Sequence, residues 1–156
     1  MRAFACCLAL LAAGCGSERN PTGAEPVRRA VQTANLTGLY EGAGTPPSQI
    51  CILDRGIGNA RFGLVLRDAD GRSCSGAGAA ARDGGVLRLT MTGDEPCVIA
   101  AAIADGEVAF PDSLPAGCSY YCGAGTAMAG ARFAKVGGDV EDAMRARDLV
   151  GDPLCA

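Results

Sequence analysis

The sequence lacks histidine and tryptophan, and Lys135 is its single lysine. Without histidine, the chain cannot form a Ser-His-Asp triad, a Cys-His pair or a histidine-ligated metal site. Ser-Lys catalysis would depend on Lys135 alone, and no recognisable serine motif accompanies it. We therefore expect a non-enzymatic protein that holds neither a cofactor nor a metal ion.

Clustered positive charge is also lacking. The chain has 14 basic and 17 acidic residues, a net charge of −3. Because nucleic acid is bound through clustered Lys and Arg, this composition excludes a nucleic-acid partner. Aromatic residues are few, with four Phe and three Tyr, so we expect the core to need support from covalent cross-links.

No apolar run is long enough to cross a bilayer. Residues 3–13 form an apolar run of eleven residues, whereas a spanning helix needs about 20. This run follows Arg2 and precedes Gly14 and Cys15, in the order typical of a secretory signal. The pattern predicts that residues 1–14 are a signal peptide and are removed.

The end of this segment, Leu11-Ala12-Ala13-Gly14-Cys15, resembles the lipobox of bacterial lipoproteins, although Ala12 stands where leucine is commonest. The resemblance implies that the Cys15 thiol carries diacylglycerol and that its amino group carries a fatty acyl chain such as palmitate. These acyl groups would hold the protein in a membrane, at about 0.8 kcal/mol per buried methylene. Gly16, where an aspartate would favour the inner membrane, implies the outer membrane and a domain that faces the periplasm.

The remaining cysteines predict disulfide bonds. Cys6 and Cys7 leave with the signal and Cys15 is used by lipid, which leaves six: Cys51, Cys74, Cys97, Cys118, Cys122 and Cys155. An even number in an oxidising compartment favours disulfides over zinc, for which histidine is missing. The position of Cys155 near the end favours a bond to the Cys118/Cys122 region, although six cysteines allow 15 pairings.

Residues 15–35 have the composition of a flexible tether, and residues 36–156 are predicted to form a single domain. Short stretches in that domain alternate apolar and polar residues between turn signals, a pattern typical of half-buried antiparallel strands. The fold class is therefore all-β: a meander of about eight strands that closes as a small antiparallel β-barrel or packs as a sandwich. The predicted strands are 36–41, 48–54, 60–67, 72–81, 86–92, 96–104, 107–110 and 127–134.

One short C-terminal helix is predicted over residues 139–149. Asp139 follows two glycines and can cap the helix, with Asp142 at the third helical position as in a capping box. Glu141 and Arg145 are spaced for an ion pair between successive turns. We expect this helix to close one end of the barrel.

The strongest candidate for a binding site is Tyr120-Tyr121, between Cys118 and Cys122. Two aromatic residues on a rigid loop suit a binding surface, because little entropy is lost on contact. The alternative is that one tyrosine packs over the barrel end. Asp68-Ala69-Asp70-Gly71 resembles the start of a calcium loop, but a hairpin turn accounts for the same residues.

Residues 36–41, 60–63 and 118–123 resemble short cysteine-rich bacterial lipoproteins without an assigned activity. Ser75-Gly76-Ala77 is similar to the Ser-Gly-x loop of membrane-bound inhibitors of C-type lysozyme. The expected function is a non-enzymatic binding or envelope-structural module, with an envelope protein or the cell wall as partner. The alternatives are an inhibitor of C-type lysozyme and an uncharacterised envelope enzyme.

Overall fold

A computed structural model describes residues 35–56 and 60–155 of the chain. The predicted signal peptide at 1–14, the lipidated Cys15 and the predicted tether up to residue 34 lie outside the described residues. Within the described ranges, no helix is long and apolar enough to cross a membrane.

Eight antiparallel strands form a closed barrel in which each strand pairs with its neighbour in the chain and the last pairs with the first. The meander predicted from the sequence is confirmed. Because the last strand pairs with the first, the fold is a barrel and not a sandwich. The strands are β1 Gly38–Glu41, β2 Gln49–Asp54, β3 Ala60–Arg67, β4 Ser73–Asp83, β5 Val86–Met91, β6 Val98–Ala104, β7 Glu107–Ala109 and β8 Arg132–Gly137.

The alternation of residue types determines which side chains fill the barrel. In β5, Leu87, Leu89 and Met91 are buried, whereas Arg88 and Thr90 are exposed. Such side chains each stabilise the fold by about 1.5–3 kcal/mol when fully buried. β4 instead places small residues opposite large ones on β3: Gly78 pairs with Phe62, and Gly76 pairs with Leu64.

The eighth strand lies further along the chain than its predicted range of 127–134. Gly130 has a positive φ of 71° and forms a turn, so regular pairing begins only at Arg132. Closure requires β8 to pair with both β7 and β1, where Gly137 lies opposite Leu39. The prediction for residues 127–131 was therefore wrong.

A second apolar cluster lies on the outer wall of the barrel. Leu39, Cys51 and Leu53 point outward from β1 and β2, and they are covered by Ala143, Ala146, Cys155 and Leu154. The helix, α1 Val140–Met144, contacts β1 and β2 along this wall. The expectation that it closes a barrel end was wrong, because the apolar outer face of these strands needs cover.

The helix is also shorter than its predicted range of 139–149. Its start follows the prediction: Asp142 N donates to Asp139 Oδ1 at 2.8 Å, and Asp142 Oδ2 accepts from Gly138 N at 2.8 Å. Arg145 pairs with Asp142 at 2.5 Å instead of with Glu141. The chain then turns back, and Leu154 N donates to Ala146 O at 3.0 Å.

All six predicted cysteines are in disulfides: Cys51–Cys155, Cys74–Cys122 and Cys97–Cys118. The expectation that Cys155 joins the Cys118/Cys122 region was wrong. Cys51 points outward on β2, beneath the C-terminal segment, and is therefore the cysteine that Cys155 meets. Gly63 on β3 allows this approach, because a Cβ there would overlap the carbonyl oxygen of Leu154.

Candidate binding surface at the stapled end

One end of the barrel is closed by a cross-linked segment, and we call it the stapled end. A 3-10 helix, Ala116–Tyr121, follows Pro115 in the long connection from β7 to β8. Cys118 in this helix bonds to Cys97 before β6, and Cys122 just after it bonds to Cys74 at the start of β4. Two covalent bonds therefore fix this segment to strand β4 and to the connection between β5 and β6.

Tyr121 packs over the barrel end. Its ring contacts the interior core, and its hydroxyl donates to the carbonyl of Glu95 at 2.7 Å. Glycines make room for it: a Cβ on Gly76 would lie 3.3 Å from Tyr121 Cδ1, and one on Gly93 would lie 2.6 Å from its hydroxyl oxygen. This residue therefore anchors the segment.

Tyr120 has the opposite environment. Its side chain is 59% exposed, and its ring meets that of Tyr121 edge to face at a centroid distance of 5.4 Å. The neighbouring tyrosine therefore supports one side of the ring while the other side faces solvent. Of the two predicted binding residues, Tyr120 is the one available to a partner.

Two hollows border the stretch 126–133 beside the 3-10 helix, where the sequence had wrongly predicted a strand from residue 127. The first has a volume of about 260 Å³, and the second about 460 Å³. Ala127 and Ala129 line both hollows. The first is completed by residues of the stapled segment, including Leu114, Ala116 and Ser119. The second is completed by residues of the barrel rim, including Ser48, Leu66, Arg67 and Arg132.

The opposite end of the barrel holds Lys135, the single lysine. Its Nζ donates to the Asn35 carbonyl at 2.9 Å and lies 5.5 Å from the centroid of the Tyr40 ring. Tyr40 in turn donates to the Leu36 carbonyl at 2.9 Å. Burial lowers the pKa of Lys135. Burial also raises the pKa of Tyr40 to about 12, against the opposing charge of Arg82. These contacts hold the first described residues against the barrel.

The acidic turn between β3 and β4 is a hairpin turn, as predicted. Arg72 pairs with Asp68 at 2.7 Å and with Asp70 at 2.6 Å. The hydrogen bond from Arg72 is the main reason why the pKa of Asp68 is lowered. Across residues 35–56 and 60–155, no three acidic, cysteine or histidine side chains are grouped to hold a metal ion.

Ser75-Gly76-Ala77 lies within β4 and not in a loop. The three residues pair with Val65, Leu64 and Gly63 of β3. Gly76 faces the interior, where a Cβ would contact the side chains of Met91 and Tyr121. These residues therefore take part in strand pairing and close packing.

No family model matches this chain, and neither the curated proteins nor the solved structures include a match. Its function is therefore inferred from its own residues and their geometry.

Proposed function

We propose that this chain is a lipid-anchored protein of the bacterial outer membrane that faces the periplasm and binds an envelope partner through its stapled end. The observation that carries the proposal is Tyr120, an exposed aromatic residue on a segment that two disulfides hold in place. We propose a binding or envelope-structural role without catalysis.

The anchor is supported by the lipobox-like sequence that ends at Cys15. Three disulfides in the barrel are consistent with this location, because an oxidising compartment is where such bonds form and persist. Two acyl attachments on one cysteine give stable membrane association, whereas a single chain gives only marginal binding.

The contact surface is supported by the rigidity of the stapled segment. Cys118 is buried, and the Tyr121 side chain packs on the core, so Tyr120 is presented from a fixed backbone. A tyrosine held in this way loses little conformational entropy on binding, and it offers both an apolar ring and a hydroxyl.

The non-catalytic role is supported by the contacts of the titratable groups whose pKa values are shifted. Tyr40 and Lys135 bind main-chain carbonyls, and Asp68 pairs with Arg72. Burial raises the pKa of Asp148, but N–H donors from Val150, Asp152 and Gly151, together with the charge of Arg67, more than offset it and lower the pKa overall. Each shifted group thus has a structural role, whereas catalytic groups have shifts matched to a reaction.

The test is crosslinking in intact cells. A photo-crosslinking amino acid is placed at position 120 in one variant and at position 140 in a control, since Val140 is also 59% exposed but lies on α1. Partners are then identified by mass spectrometry. We expect a discrete envelope partner from position 120 and none from position 140.

Equal labelling from both positions, or none from position 120, would contradict the proposed contact surface. Capture of an added C-type lysozyme at position 120, together with inhibition of cell-wall lysis, would instead establish the inhibitor alternative. Turnover of a peptidoglycan, peptide or ester substrate by the purified protein would contradict the non-catalytic role.

A further inference from the structure

We propose that a hollow on the outer wall of the barrel binds a phosphate monoester group between the side chains of Arg55 and Arg61. We call it the arginine hollow; Thr92 and Leu154 also line it, and its volume is about 280 Å³. It shares no lining residue with the two hollows of the stapled end. The arginine hollow is therefore a second binding site, beyond the proposed contact surface at Tyr120.

Small residues on the outer wall leave the space for this hollow. Gly63 of β3 lies opposite Ala77 of β4, and neither carries a side chain larger than a methyl group. The C-terminal segment forms one side, because Leu154 packs over Gly63 and Cys155 is bonded to Cys51. One wall of the hollow is thus held in place covalently.

The two arginines of the hollow are unpaired within the described residues. Neither Arg55 nor Arg61 forms an ion pair or a side-chain hydrogen bond in the ranges 35–56 and 60–155. None of the described residues that line the hollow is acidic. The acid next to Arg55 in the chain is Asp54, whose Oδ1 accepts from Gly56 N at 3.0 Å and stabilises the turn. Two like charges at one hollow repel each other, so an anion between them is attracted by both.

The arginines at the larger hollow of the stapled end are, by contrast, already bound. Arg67 donates to two main-chain carbonyls at 3.2 and 3.1 Å, and Arg132 lies 2.6 Å from a carboxylate oxygen of Glu107. The guanidinium groups of Arg55 and Arg61 therefore differ in having their donors available.

Charge and size favour a phosphate monoester. Such a group carries a charge of about −1.5 to −2 at pH 7 and three terminal oxygens, which matches two guanidinium groups that each bind phosphate as a fork. A carboxylate has one charge and two oxygens, which a single arginine can satisfy. Thr92 adds a hydroxyl donor at the same hollow. The volume lies just below the roughly 300–1,000 Å³ of sites for drug-sized ligands, so the hollow suits the charged group of a ligand.

The position of Arg55 bears on the source of the phosphate. Asp54 N donates to Thr37 Oγ1 at 3.0 Å, so Arg55 follows a residue that contacts the segment by which the chain enters the barrel. If Cys15 carries lipid, as proposed above, a membrane lipid with a terminal phosphate is one source of the group. A soluble phosphate compound of the periplasm is the other. The ligand chemistry is the same for both sources, and the test separates them.

The test uses the full-length oxidised protein in a non-ionic detergent and isothermal titration calorimetry with inorganic phosphate. We expect saturable binding of one phosphate per chain. Arg55→Gln and Arg61→Gln should each weaken it about ten- to a hundredfold, as for loss of a charged hydrogen bond. Arg88→Gln is the matched control and should bind normally, because Arg88 is exposed on β5 and does not line the hollow.

Two short-chain lipids then distinguish the sources in the same detergent. Phosphatidic acid has a terminal phosphate, whereas the phosphate of phosphatidylglycerol is a diester. Tighter binding of phosphatidic acid than of inorganic phosphate would assign the site to a membrane lipid, and equal or weaker binding would assign it to a soluble compound. In either case phosphatidylglycerol should bind more weakly than phosphatidic acid.

A second pair of variants tests the hollow itself. Ala77→Leu fills the hollow from an exposed position on β4, so the barrel should fold and phosphate binding should be lost. Ala100→Leu, at an exposed position on β6, is the matched control and should bind normally. Circular dichroism establishes that both variants are folded.

The absence of saturable phosphate binding, unchanged affinity in Arg55→Gln and Arg61→Gln, or acetate bound as tightly as phosphate would each overturn the inference. These outcomes leave the proposed function separately testable, since crosslinking through position 120 does not involve the arginine hollow. Phosphate binding without crosslinking would contradict only the contact surface at Tyr120.

Discussion

Single glycines determine how closely separate parts of this chain approach one another. Gly63 lies on the outer face of β3, beneath the backbone of Leu154, and Gly76 lies on the inner face of β4, beside Met91 and Tyr121. The alternating pattern predicted which large residues point inward. It could not predict what covers Gly63, because that contact comes from the far end of the chain and depends on the Cys51–Cys155 bond.

Gly63→Ala should destabilise the barrel by about 1–3 kcal/mol, the usual effect of overpacking. The added methyl group would push Leu154 away from β3 and disturb the cover of the outer wall. Urea unfolding of the oxidised protein measures the change. Gly85→Ala is the matched control, since the nearest atom to a Cβ there is 4.0 Å away. Equal stability of the two variants would contradict the close contact at Gly63.

Tyr40 should make stability depend on pH in the alkaline range. Its folded pKa of about 12 exceeds the ordinary value of 10, so the folded state retains a proton that the unfolded chain loses. The contribution of Tyr40 to the free energy of unfolding should therefore be constant below pH 10 and should fall by roughly 2–3 kcal/mol as the pH rises from 10 through 12.

Absorbance of the phenolate during a pH titration checks this directly. One tyrosine should ionise near pH 12, and that step should be missing in Tyr40→Phe. A step that persists in Tyr40→Phe would show that the late-ionising tyrosine is a different residue.

At the scale of elements, the first seven strands follow the local sequence pattern, whereas the elements after residue 126 do not. The first seven strands begin and end within two residues of their predicted bounds. By contrast, β8 and α1 were misplaced, because their positions are set by partners: β1 for closure and the apolar outer wall for the helix. The stretch 127–131 was predicted as the start of the last strand, yet the turn at Gly130 keeps it out of the sheet.

The three disulfides should differ in how much they stabilise these elements. Cys51 and Cys155 are separated by 104 residues and Cys97 and Cys118 by 21. On the loop-entropy account, replacing the first pair by alanine should cost about 4–5 kcal/mol and replacing the second about 3 kcal/mol. Urea unfolding of the two double variants measures the order. A larger loss for the Cys97/Cys118 variant would contradict this ranking and would assign more of the stability to the stapled end.

At the scale of the whole molecule, closure removes the sheet edges at which strands of other molecules could pair. The sequence predicted a meander but left the choice between barrel and sandwich open. That choice depends on the β1–β8 pairing, whose register shifts between Leu39 and Tyr40 and follows from no local pattern. Of the candidate binding surface, Tyr120 was predictable from its place between two cysteines. The two hollows lined by Ala127 and Ala129 were not, since they border residues 127–131, which leave the sheet.

One measurement tests the proposed lipid on Cys15 and the disulfides of the barrel together. That measurement is the intact mass of the protein extracted from bacterial membranes. We expect a chain that begins at Cys15, carries diacylglycerol and an amide-linked acyl group, and lacks six hydrogens because its other six cysteines are paired. A chain that retains residues 1–14, or one with an unmodified Cys15, would contradict the proposed anchor.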